Sequence, residues 1–372
     1  MPLNYVLDLR VASEHFPGIG RYGIDLAWTL PRFLKGNERL ILIRDPVHCS
    51  SPFPSGEQVH ILDVPATPFS LAQQWLIPRA LKSFSPALYH SLYYIMPYRP
   101  GTIALLTIYD LIPLLYPGSV SLRARFLFYP LFLMALSASS GLIVVSQAAF
   151  NDLKARFNIG PKKARVIPLA ASPSFQPLTL QEKEAVRLKY KLPEKFILYV
   201  GSHKPHKNLK SLLKAFARAR ACKDTSLVLA GPIGPDSRDL MALAQKLGIE
   251  GSVRWLGRVP DSDLPALYSA STAFVFPSLY EGFGLPVLEA MSCGAPVACS
   301  DIPALREVAG EAALYFDPRS LDSMAQAIDA ILGDQELREN LKEKGFARAS
   351  EFSWDKTACE TITFYREVYG QS

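Results

Sequence analysis

Short apolar runs alternate with longer amphipathic segments along the whole chain. The runs are rich in Val, Ile and Leu, which is typical of strands buried on both faces of a parallel sheet. The segments between them, such as 207–220 and 236–247, repeat apolar residues at helical spacing. This alternation predicts βαβ units. The predicted strands are 4–10, 39–43, 102–108, 141–146, 195–201, 226–231, 252–257, 273–278 and 295–300.

A proline-rich connection at 166–178 separates these strands into two groups. The chain has 372 residues, which is more than one ordinary hydrophobic core supports. We therefore expect an α/β protein with two Rossmann-like, doubly wound domains facing a central cleft. In open parallel sheets, ligands bind beyond the carboxyl ends of the strands, so motifs at strand ends carry the most weight.

One uncharged segment, 126–145, is long enough to span a bilayer. However, Pro130 and the small polar run SASSG divide it. The pattern favours a buried helix of roughly 12 residues that leads into a short buried strand.

The net charge of +6 is concentrated in the first half of the chain. Residues 1–180 contain 16 Lys and Arg against 9 Asp and Glu, whereas the remainder contains 24 against 25. This asymmetry indicates an anionic partner or surface, although an ordinary solvated basic face explains it equally well. No basic–aromatic stripe or zinc pattern is present, so nucleic acid is not an expected partner.

Compartment signals in the sequence are indirect. The five cysteines form no CxxC pair, and the N-terminus lacks the basic and apolar regions of a signal peptide. These features favour a cytoplasmic location.

The first predicted strand is followed by HFPGIGRYG, in which Gly18 and Gly20 precede a helical pattern that begins near Arg21. Glycines allow close backbone approach, and a helix N-terminus offers N–H groups to a phosphate. A plain turn explains so short a motif equally well.

The strand at 195–201 leads into a cationic loop, SHKPHKN. His203, Lys204, His206 and Lys207 are positioned there to neutralise a diphosphate. The HxxH spacing also allows a metal site, but no carboxylate or thiolate cluster accompanies it. A solvated basic loop is the other alternative.

The strand at 273–278 is followed by LYEGFGLPVLEAM. Pro286 suits the first turn of a helix, so we expect the helix to begin near Leu285. Glu281 then lies in the loop and Glu289 about one turn inside the helix. The two carboxylates would accept hydrogen bonds from two different hydroxyl groups of one extended ligand. Alternatively, Glu289 only complements the helix dipole.

Taken together, these motifs resemble retaining glycosyltransferases of family 4, which have the GT-B fold. The resemblance is strongest in the run FVFPSLYEGFGLPVLEAMSCGAPVACSDIPALREVAGEAALYFDP. It implies that Glu281 contacts the transferred sugar, Glu289 binds the ribose and Lys207 grips the diphosphate. The other implied contacts to the sugar donor are Gly18, Gly20, Ser202, Lys204, His206, Arg258, Val259, Gly282, Phe283, Gly284 and Leu285.

Two positions depart from the family's pattern. Ser202 stands where many relatives carry an arginine, and Lys204 or His206 would supply the missing charge. Tyr109 replaces a histidine near the reacting carbon, and the adjacent Asp110 is the expected catalytic residue of that turn, beside Glu281 and Lys207. His90 is either a further residue of the cleft or a satisfied buried histidine.

The resemblance also implies a domain plan. Residues 1–170 form an acceptor-side domain, 171–190 a linker, 191–352 a donor-binding domain, and 353–372 a helix that returns to the first domain.

The implied reaction is transfer of a hexose, in first place mannose from GDP-mannose, with retention and without a metal or separate cofactor. The implied acceptor is a glycan or lipid-diphosphate-linked glycan, with peripheral contact at the inner membrane face near Arg21, Arg123 and Arg125. A UDP-glucose or UDP-N-acetylglucosamine donor, or a non-catalytic nucleotide-sugar-binding scaffold, is the alternative.

Overall fold

The fold is built on two parallel β-sheets, one in each of two compact units. The computed structural model describes residues 2–13, 17–49, 52–222 and 224–371. The first unit comprises Met1–Leu115, Val120–Leu169 and Ser353–Ser372, and the second comprises Tyr116–Ser119 and Ala170–Phe352.

The sheet of the first unit has seven parallel strands in the order β3-β2-β1-β4-β5-β6-β7. Its central strands are fully buried on both faces, as the apolar runs predict. The strands are β1 (Leu3–Asp8), β2 (Glu38–Arg44), β3 (Val59–Asp63), β4 (Leu88–Ser91), β5 (Ile103–Ile108), β6 (Gly141–Val144) and β7 (Ala164–Val166).

The sheet of the second unit repeats this topology with six parallel strands, in the order β10-β9-β8-β11-β12-β13. In both sheets the strand order reverses beside the first strand, between β1 and β4 and between β8 and β11. This is the doubly wound Rossmann arrangement. The strands are β8 (Phe196–Val200), β9 (Ser226–Ala230), β10 (Val253–Gly257), β11 (Ala273–Phe276), β12 (Val297–Ser300) and β13 (Ala313–Phe316).

All nine strands predicted from the apolar runs are confirmed, whereas β3, β4, β7 and β13 were not predicted. Strand β3 is only half-buried, and β7 has three residues. Strand β4 is fully buried but contains the polar His90. Each of these three strands therefore lacks the continuous apolar run on which the prediction depended, whereas β13 is a short apolar run, ALYF, that the prediction missed.

Helices connect the strands, and the two helical segments named from periodicity, 207–220 and 236–247, correspond to α7 and α8. The helices of the first unit are α1 (Pro17–Thr29), α2 (Gln73–Leu81), α3 (Ile112–Leu115), α4 (Leu122–Ala138), α5 (Gln147–Phe157) and α14 (Trp354–Gly370). Those of the second unit are α6 (Leu180–Tyr190), α7 (Leu209–Arg218), α8 (Pro235–Lys246), α9 (Leu264–Ala270), α10 (Leu285–Ser292), α11 (Pro303–Ala309), α12 (Leu321–Gly333) and α13 (Gln335–Ala349).

The prediction for the uncharged segment 126–145 is only partly correct. Strand β6 is buried, but α4 has 17 residues and continues through Pro130, and much of its surface is exposed. Pro130 is exposed, and on the exposed side of a helix the carbonyl that loses its hydrogen bond is accessible to water. Among the described residues, none of the helices combines the length and apolarity that crossing a membrane requires.

The connection between the units is shorter than the predicted linker over 171–190. Only residues 167–179 lack helix or strand, because α6 begins at Leu180 with a capping box between Thr179 and Glu182. Helix α6 packs on α9 within the second unit. At the other end of the chain, α14 belongs to the first unit and packs on α1.

A buried ion pair lies at the carboxyl end of β1. The Arg10 guanidinium donates hydrogen bonds to Asp8, with Nη2 2.6 Å from Oδ2, and to the Gln73 amide oxygen at 3.0 Å. The Tyr89 hydroxyl also donates to Asp8. Both charges are almost fully excluded from water, so the loss of either partner leaves an uncompensated buried charge.

We expect Arg10→Ala to lower the free energy of unfolding by about 3–5 kcal/mol, because Asp8 then lacks its cation in a dry site. Arg32→Ala is the matched control, since Arg32 pairs with Asp355 at the surface. It should cost less than about 1 kcal/mol. Urea denaturation of both variants measures the difference, and equal costs would contradict a buried, coupled pair.

His90 is a satisfied buried histidine. Its Nδ1 lies 2.7 Å from the Tyr365 hydroxyl of α14, and its Nε2 lies 2.7 Å from Thr107 Oγ1. Burial lowers the pKa of His90 from 6.5 to about 3, so the ring is neutral and links α14 to the sheet.

This depressed pKa predicts a specific acid sensitivity. The unfolded state binds the proton below pH 6.5, whereas the folded state binds it only near pH 3, so stability falls as the pH drops through this window. Between pH 7 and pH 4.5 the His90 contribution amounts to roughly 2–3 kcal/mol. Unfolding free energies of His90→Gln should decline less steeply over this range than those of the wild type. Parallel pH profiles would contradict the assignment.

Candidate functional site

The carboxyl ends of β8 and β11 flank the point where the strand order of the second sheet reverses. Chains that leave the two strands turn toward opposite faces, which opens a crevice for a ligand. The loops at this point are 201–208 after β8 and 277–284 after β11. They contain most of the residues that the sequence predicts for the site.

Asn208 and a backbone hydrogen bond hold the two loops together. The Leu279 amide donates to the His206 carbonyl at 2.8 Å, and the Asn208 side-chain amide donates to the carbonyls of Pro277 at 3.1 Å and Pro318 at 2.8 Å. Asn208 has a φ of +60°, in the left-handed region that asparagine tolerates better than most residues. Asn208 was not among the site residues predicted from the sequence.

Lys207 and Glu281 form an ion pair across the switch point. Lys207 Nζ lies 2.6 Å from Glu281 Oε1, and the two side chains are 15% and 10% exposed. The ammonium group also lies 5.2 Å from the centre of the Phe276 ring. Two of the three predicted catalytic residues are thus in direct contact. The Lys207 ammonium, which is able to bind phosphate oxygens, therefore lies next to the Glu281 carboxylate, which is able to accept hydrogen bonds from hydroxyl groups.

The turn 281–284 leads directly into α10. The helix begins at Leu285, with Pro286 in its first turn, as predicted. Glu281 therefore lies in the loop, and Glu289 lies inside the helix. Gly284 has a φ of +116°, and a Cβ at this position would lie 2.5 Å from Leu305 Cδ2. Only glycine satisfies both constraints, and the turn places the N-terminus of α10 at the crevice.

Glu289 is almost fully buried and accepts a hydrogen bond from the Tyr268 hydroxyl at 2.9 Å. Tyr268 lies on α9 and was not predicted, because a tyrosine in an apolar helical segment has no distinguishing pattern. This hydrogen bond fixes the orientation of the Glu289 carboxylate. Glu289 therefore does more than place a negative charge near the positive end of the helix dipole.

The prediction that His206 supplies positive charge is wrong. Burial, together with the neighbouring Lys207 and Lys204, lowers the pKa of His206 to about 3, so the ring is neutral. Burial also lowers the pKa of His203, whose Nδ1 lies 2.7 Å from Ser237 Oγ. The cations of this loop are therefore the exposed Lys204 and the ion-paired Lys207.

Glycines at the ends of the neighbouring strands β8 and β9 allow the two backbones to approach closely. A Cβ on Gly231, after β9, would lie 1.9 Å from the Gly201 carbonyl oxygen. Next to Gly201, the Ser202 carbonyl accepts a hydrogen bond from the buried Tyr199 hydroxyl at 2.7 Å.

The residues expected near the nucleobase follow β10 at the same edge of the sheet. Arg258 is exposed and Val259 is buried.

Gly18, Gly20 and Asp110 belong to the first unit. Helix α1 begins at Pro17, so both glycines lie within it and not in a preceding turn, which corrects the prediction. Gly20 packs closely, because a Cβ there would lie 3.2 Å from the Val11 carbonyl oxygen. Asp110 follows β5 and accepts a hydrogen bond from the Ile112 amide at 2.8 Å.

A short segment from the first half of the chain, Tyr116–Ser119, belongs to the second unit. The Tyr116 hydroxyl donates to the Leu279 carbonyl at 3.3 Å, and its ring centre lies 5.7 Å from that of Tyr280. The Ser119 hydroxyl oxygen accepts a hydrogen bond from the His206 amide at 3.3 Å. This segment therefore contacts both loops of the crevice.

The part of the chain that the structure describes contains no group of three or more His, Cys, Asp or Glu side chains arranged to hold a metal ion. The two histidines of HxxH are both buried and have separate surroundings, His203 beside Ser237 and His206 beside Tyr116.

Comparison with known proteins identifies the class. Residues 181–348 match the family model described as glycosyl transferases group 1. The chain is 35% identical to O-antigen chain mannosyltransferase B of Escherichia coli over 298 residues, covering 77% of this chain and 76% of that protein. The chain belongs to the group 1 glycosyltransferase family and is a glycosyltransferase. It is also 32% identical over 260 residues to serotype-specific mannosyltransferase WbdA of Escherichia coli, but spans only 32% of its length.

Solved structures agree on the GT-B fold. Sucrose-phosphate synthase from Thermosynechococcus elongatus matches with a TM-score of 0.77 at 21% identity, covering 100% of both chains. Anabaena HepE in complex with UDP-glucose matches with a TM-score of 0.75 at 17% identity, covering 97% of this chain and 100% of that chain.

We expect Gly284→Ala to destabilise the second unit by more than about 2 kcal/mol, because the added methyl group meets Leu305 and the positive φ becomes strained. Gly248→Ala is the control, since Gly248 has a φ of +69° and open space around it. The control should cost only the backbone strain, about 1 kcal/mol. Urea denaturation compares them. Equal losses would show that Leu305 does not constrain the turn.

Proposed function

We propose that the protein is a retaining mannosyltransferase that moves mannose from GDP-mannose to a glycan or lipid-diphosphate-linked glycan in cell-surface polysaccharide synthesis. Support comes from the family, from the O-antigen mannosyltransferases among its relatives, and from the contact between Lys207 and Glu281. That contact is the observation that carries the proposal.

The nucleotide sugar binds at the switch point of the second sheet in this proposal. Lys207 and the N-terminus of α10 face the diphosphate, which carries negative charge that both groups stabilise. Glu281 accepts hydrogen bonds from hydroxyl groups of the mannose, and Glu289, oriented by Tyr268, accepts them from the ribose. The turn 282–285 supplies backbone N–H groups, and Ser202, Lys204, His206, Arg258 and Val259 line the same edge of the sheet.

The reaction exchanges two bonds at the anomeric carbon. The bond from this carbon to the β-phosphate oxygen breaks, and a bond to the acceptor oxygen forms on the same face. The proton of the acceptor hydroxyl passes to the departing phosphate, so the products are GDP and an α-mannoside. Lys207 and the helix N-terminus stabilise the charge that develops on the leaving group, and preorganised electrostatics of this kind supply much of the rate enhancement.

The first unit serves the acceptor side. Gly18, Gly20 and Asp110 lie at the carboxyl edge of its sheet, where ligands of open parallel sheets bind. Asp110 is the proposed catalytic residue of this unit, in the turn where the family resemblance implies a histidine and this chain carries Tyr109. With a lipid-linked acceptor, we place the enzyme in the cytoplasm at the inner face of the plasma membrane.

Calorimetric titration with GDP-mannose, GDP, UDP-glucose and UDP tests the donor. GDP-mannose and GDP should bind, whereas the uridine nucleotides should bind at least about tenfold more weakly, because guanine and uracil present different hydrogen-bonding edges. Preferential binding of a UDP-sugar would replace the proposed donor, and binding without transfer would favour a scaffold. The anomeric configuration of the product, measured by NMR, tests retention.

Two isosteric variants test the separate roles of the carboxylates. Glu281→Gln should reduce transfer about 100-fold or more. It should leave GDP affinity undiminished, because removal of a negative charge beside Lys207 favours an anion. Glu289→Gln should weaken GDP binding about tenfold or more, since the charged acceptor for the ribose is lost.

Glu311→Gln, at an exposed site, is the control and should change neither quantity. If both variants affected GDP binding alike, the proposed division of roles would be wrong.

A further inference from the structure

An open cavity lies beside the carboxyl end of α1, away from the candidate site. Its volume is about 640 Å³, and its lining includes Trp28, two prolines and the segment 55–59. Trp28 is the largest of these side chains and is 50% exposed. Cavities of roughly 300–1,000 Å³ that combine aromatic surface with a few polar groups are typical of ligand sites. The cavity is therefore large enough for a ligand, and the chemistry of its lining indicates which kind.

The cavity lies at the amino edge of the first sheet, opposite the edge where Asp110 follows β5. It is bordered by Gly36, which lies just before β2, and by Val59, the first residue of β3. A strand of six residues such as β1 spans about 20 Å. A ligand in this cavity is therefore remote from the residues at the carboxyl edge.

Trp28 is held in one orientation at the cavity. Its indole Nε1 donates a hydrogen bond to the Pro52 carbonyl at 3.3 Å. This bond uses the only polar group of the indole, while half of the side chain stays exposed. A fixed indole offers a large flat apolar face to a ligand at a low cost in side-chain entropy.

The polar side chains at the cavity are mainly hydrogen-bond acceptors. Gln58 donates through Nε2 to the Glu38 carbonyl at 3.1 Å, which leaves its Oε1 as an acceptor. Glu57 is exposed and has no ion-pair partner among the described residues. Within the same part of the chain, none of the side chains that line this cavity is basic. Such a lining suits a neutral ligand rich in hydroxyl groups and opposes a phosphate.

A second cavity continues the first on the other side of the segment 56–59. Its volume is about 430 Å³, and both cavities share that segment. The second cavity adds Asn4, Arg39 and an aromatic pair, His60 and Phe84, whose ring centres lie 4.9 Å apart. Two aromatic places with hydrogen-bonding groups between them match an extended ligand of repeating units.

We propose that the two cavities form a binding site for a neutral glycan, separate from the candidate site, in which one sugar ring stacks on the Trp28 indole. A pyranose ring has a face of C–H groups, which the negative face of an aromatic ring attracts. Its hydroxyl groups donate to Glu57 and Gln58. A proline-rich peptide fits less well, because its carbonyls need donors and the Trp28 N–H is already bonded to Pro52.

This inference rests on the proposed function for the identity of the glycan, which is the growing polysaccharide acceptor. A site about 20 Å from the carboxyl edge holds a part of the acceptor several sugar units away from the reacting end. Holding that part raises the local concentration of the reacting end, so long acceptors bind more tightly than short ones. Oligosaccharide binding requires no nucleotide donor, and the nucleotide titration requires no oligosaccharide. The two proposals can therefore fail independently.

Calorimetric titration of the whole chain with linear α-linked tetrasaccharides of mannose and of glucose, without nucleotide, tests the site. The mannose tetrasaccharide should bind saturably. Trp28→Ala should weaken this binding about tenfold or more, because the stacking face is lost, and Trp28→Phe should restore most of it. Glu57→Gln should weaken binding about threefold or more, since a charged acceptor forms stronger hydrogen bonds than a neutral one.

Trp75→Ala is the matched control, since Trp75 is 60% exposed in the same unit and lines neither cavity. It should bind the tetrasaccharide as the wild type does, and all variants should keep the wild-type thermal midpoint. Trp28→Phe and Glu57→Gln keep the test decisive if Trp28→Ala fails to fold. In transfer assays, Trp28→Ala should raise the KM for long acceptors and leave kcat and the KM for a disaccharide acceptor unchanged.

The proposal would be overturned if neither tetrasaccharide bound, or if Trp28→Ala and Glu57→Gln both bound as the wild type does. A polyproline peptide that bound in place of both tetrasaccharides, and that Trp28→Ala released, would assign the cavities to a peptide and equally overturn it. Binding of the glucose tetrasaccharide alone would support a glycan site and reject mannose as its unit. Tetrasaccharide binding by a protein that failed to bind GDP-mannose would support the site while rejecting the proposed donor.

Discussion

The ion pair between Lys207 and Glu281 is the contact on which the candidate site depends. Strands β8 and β11 are neighbours, but the chains that leave them diverge, so no sheet hydrogen bond extends beyond their ends. The two diverging loops are connected instead by the ion pair, the Asn208 side chain and the amide of Leu279. Removing two charges from water is costly unless they pair, so each charge keeps the other in place at the switch point.

The two sheets share one topology, but the polar groups at their strand-order reversals differ in exposure to water. Each reverses its strand order beside its first strand, and each places polar groups at that point. In the first unit, Asp8, Arg10 and Tyr89 form a closed network without access to water. In the second unit, the corresponding carboxylate and cation keep part of their surface exposed. A buried network stabilises a fold, whereas a partly open pair is available to a ligand.

Much of the fold could be predicted from the sequence because continuous apolar runs and turn residues report local burial. Pro286 fixed the start of α10, and the runs located nine strands. The missed strands show the limit. His90 interrupts β4 in the sequence, and only contacts with Thr107 and Tyr365, distant along the chain, explain how a histidine is satisfied there.

The sequence predicted the position of the candidate site better than it predicted the protonation states of the residues in it. The order of motifs along the chain predicted Lys207 and Glu281 at one sheet edge, but the neutral state of His206 depends on its burial in the fold, where it contacts Tyr116 and Ser119. Pro130 and the exposed side of α4 show the same limit. An uncharged segment indicates burial on average, whereas the actual exposure depends on which neighbours cover it.

The position of Tyr116–Ser119 affects how chimeras of two related enzymes can be built. Four residues from the first half of the chain contact the loops of the second unit, so the second unit is not one continuous stretch of sequence. A chimera joined within 167–179 would take these four residues from one parent and their contacts at His206, Leu279 and Tyr280 from the other. Whether the halves of two relatives combine into a working enzyme depends more on the compatibility of these contacts than on the sequence at the junction within 167–179.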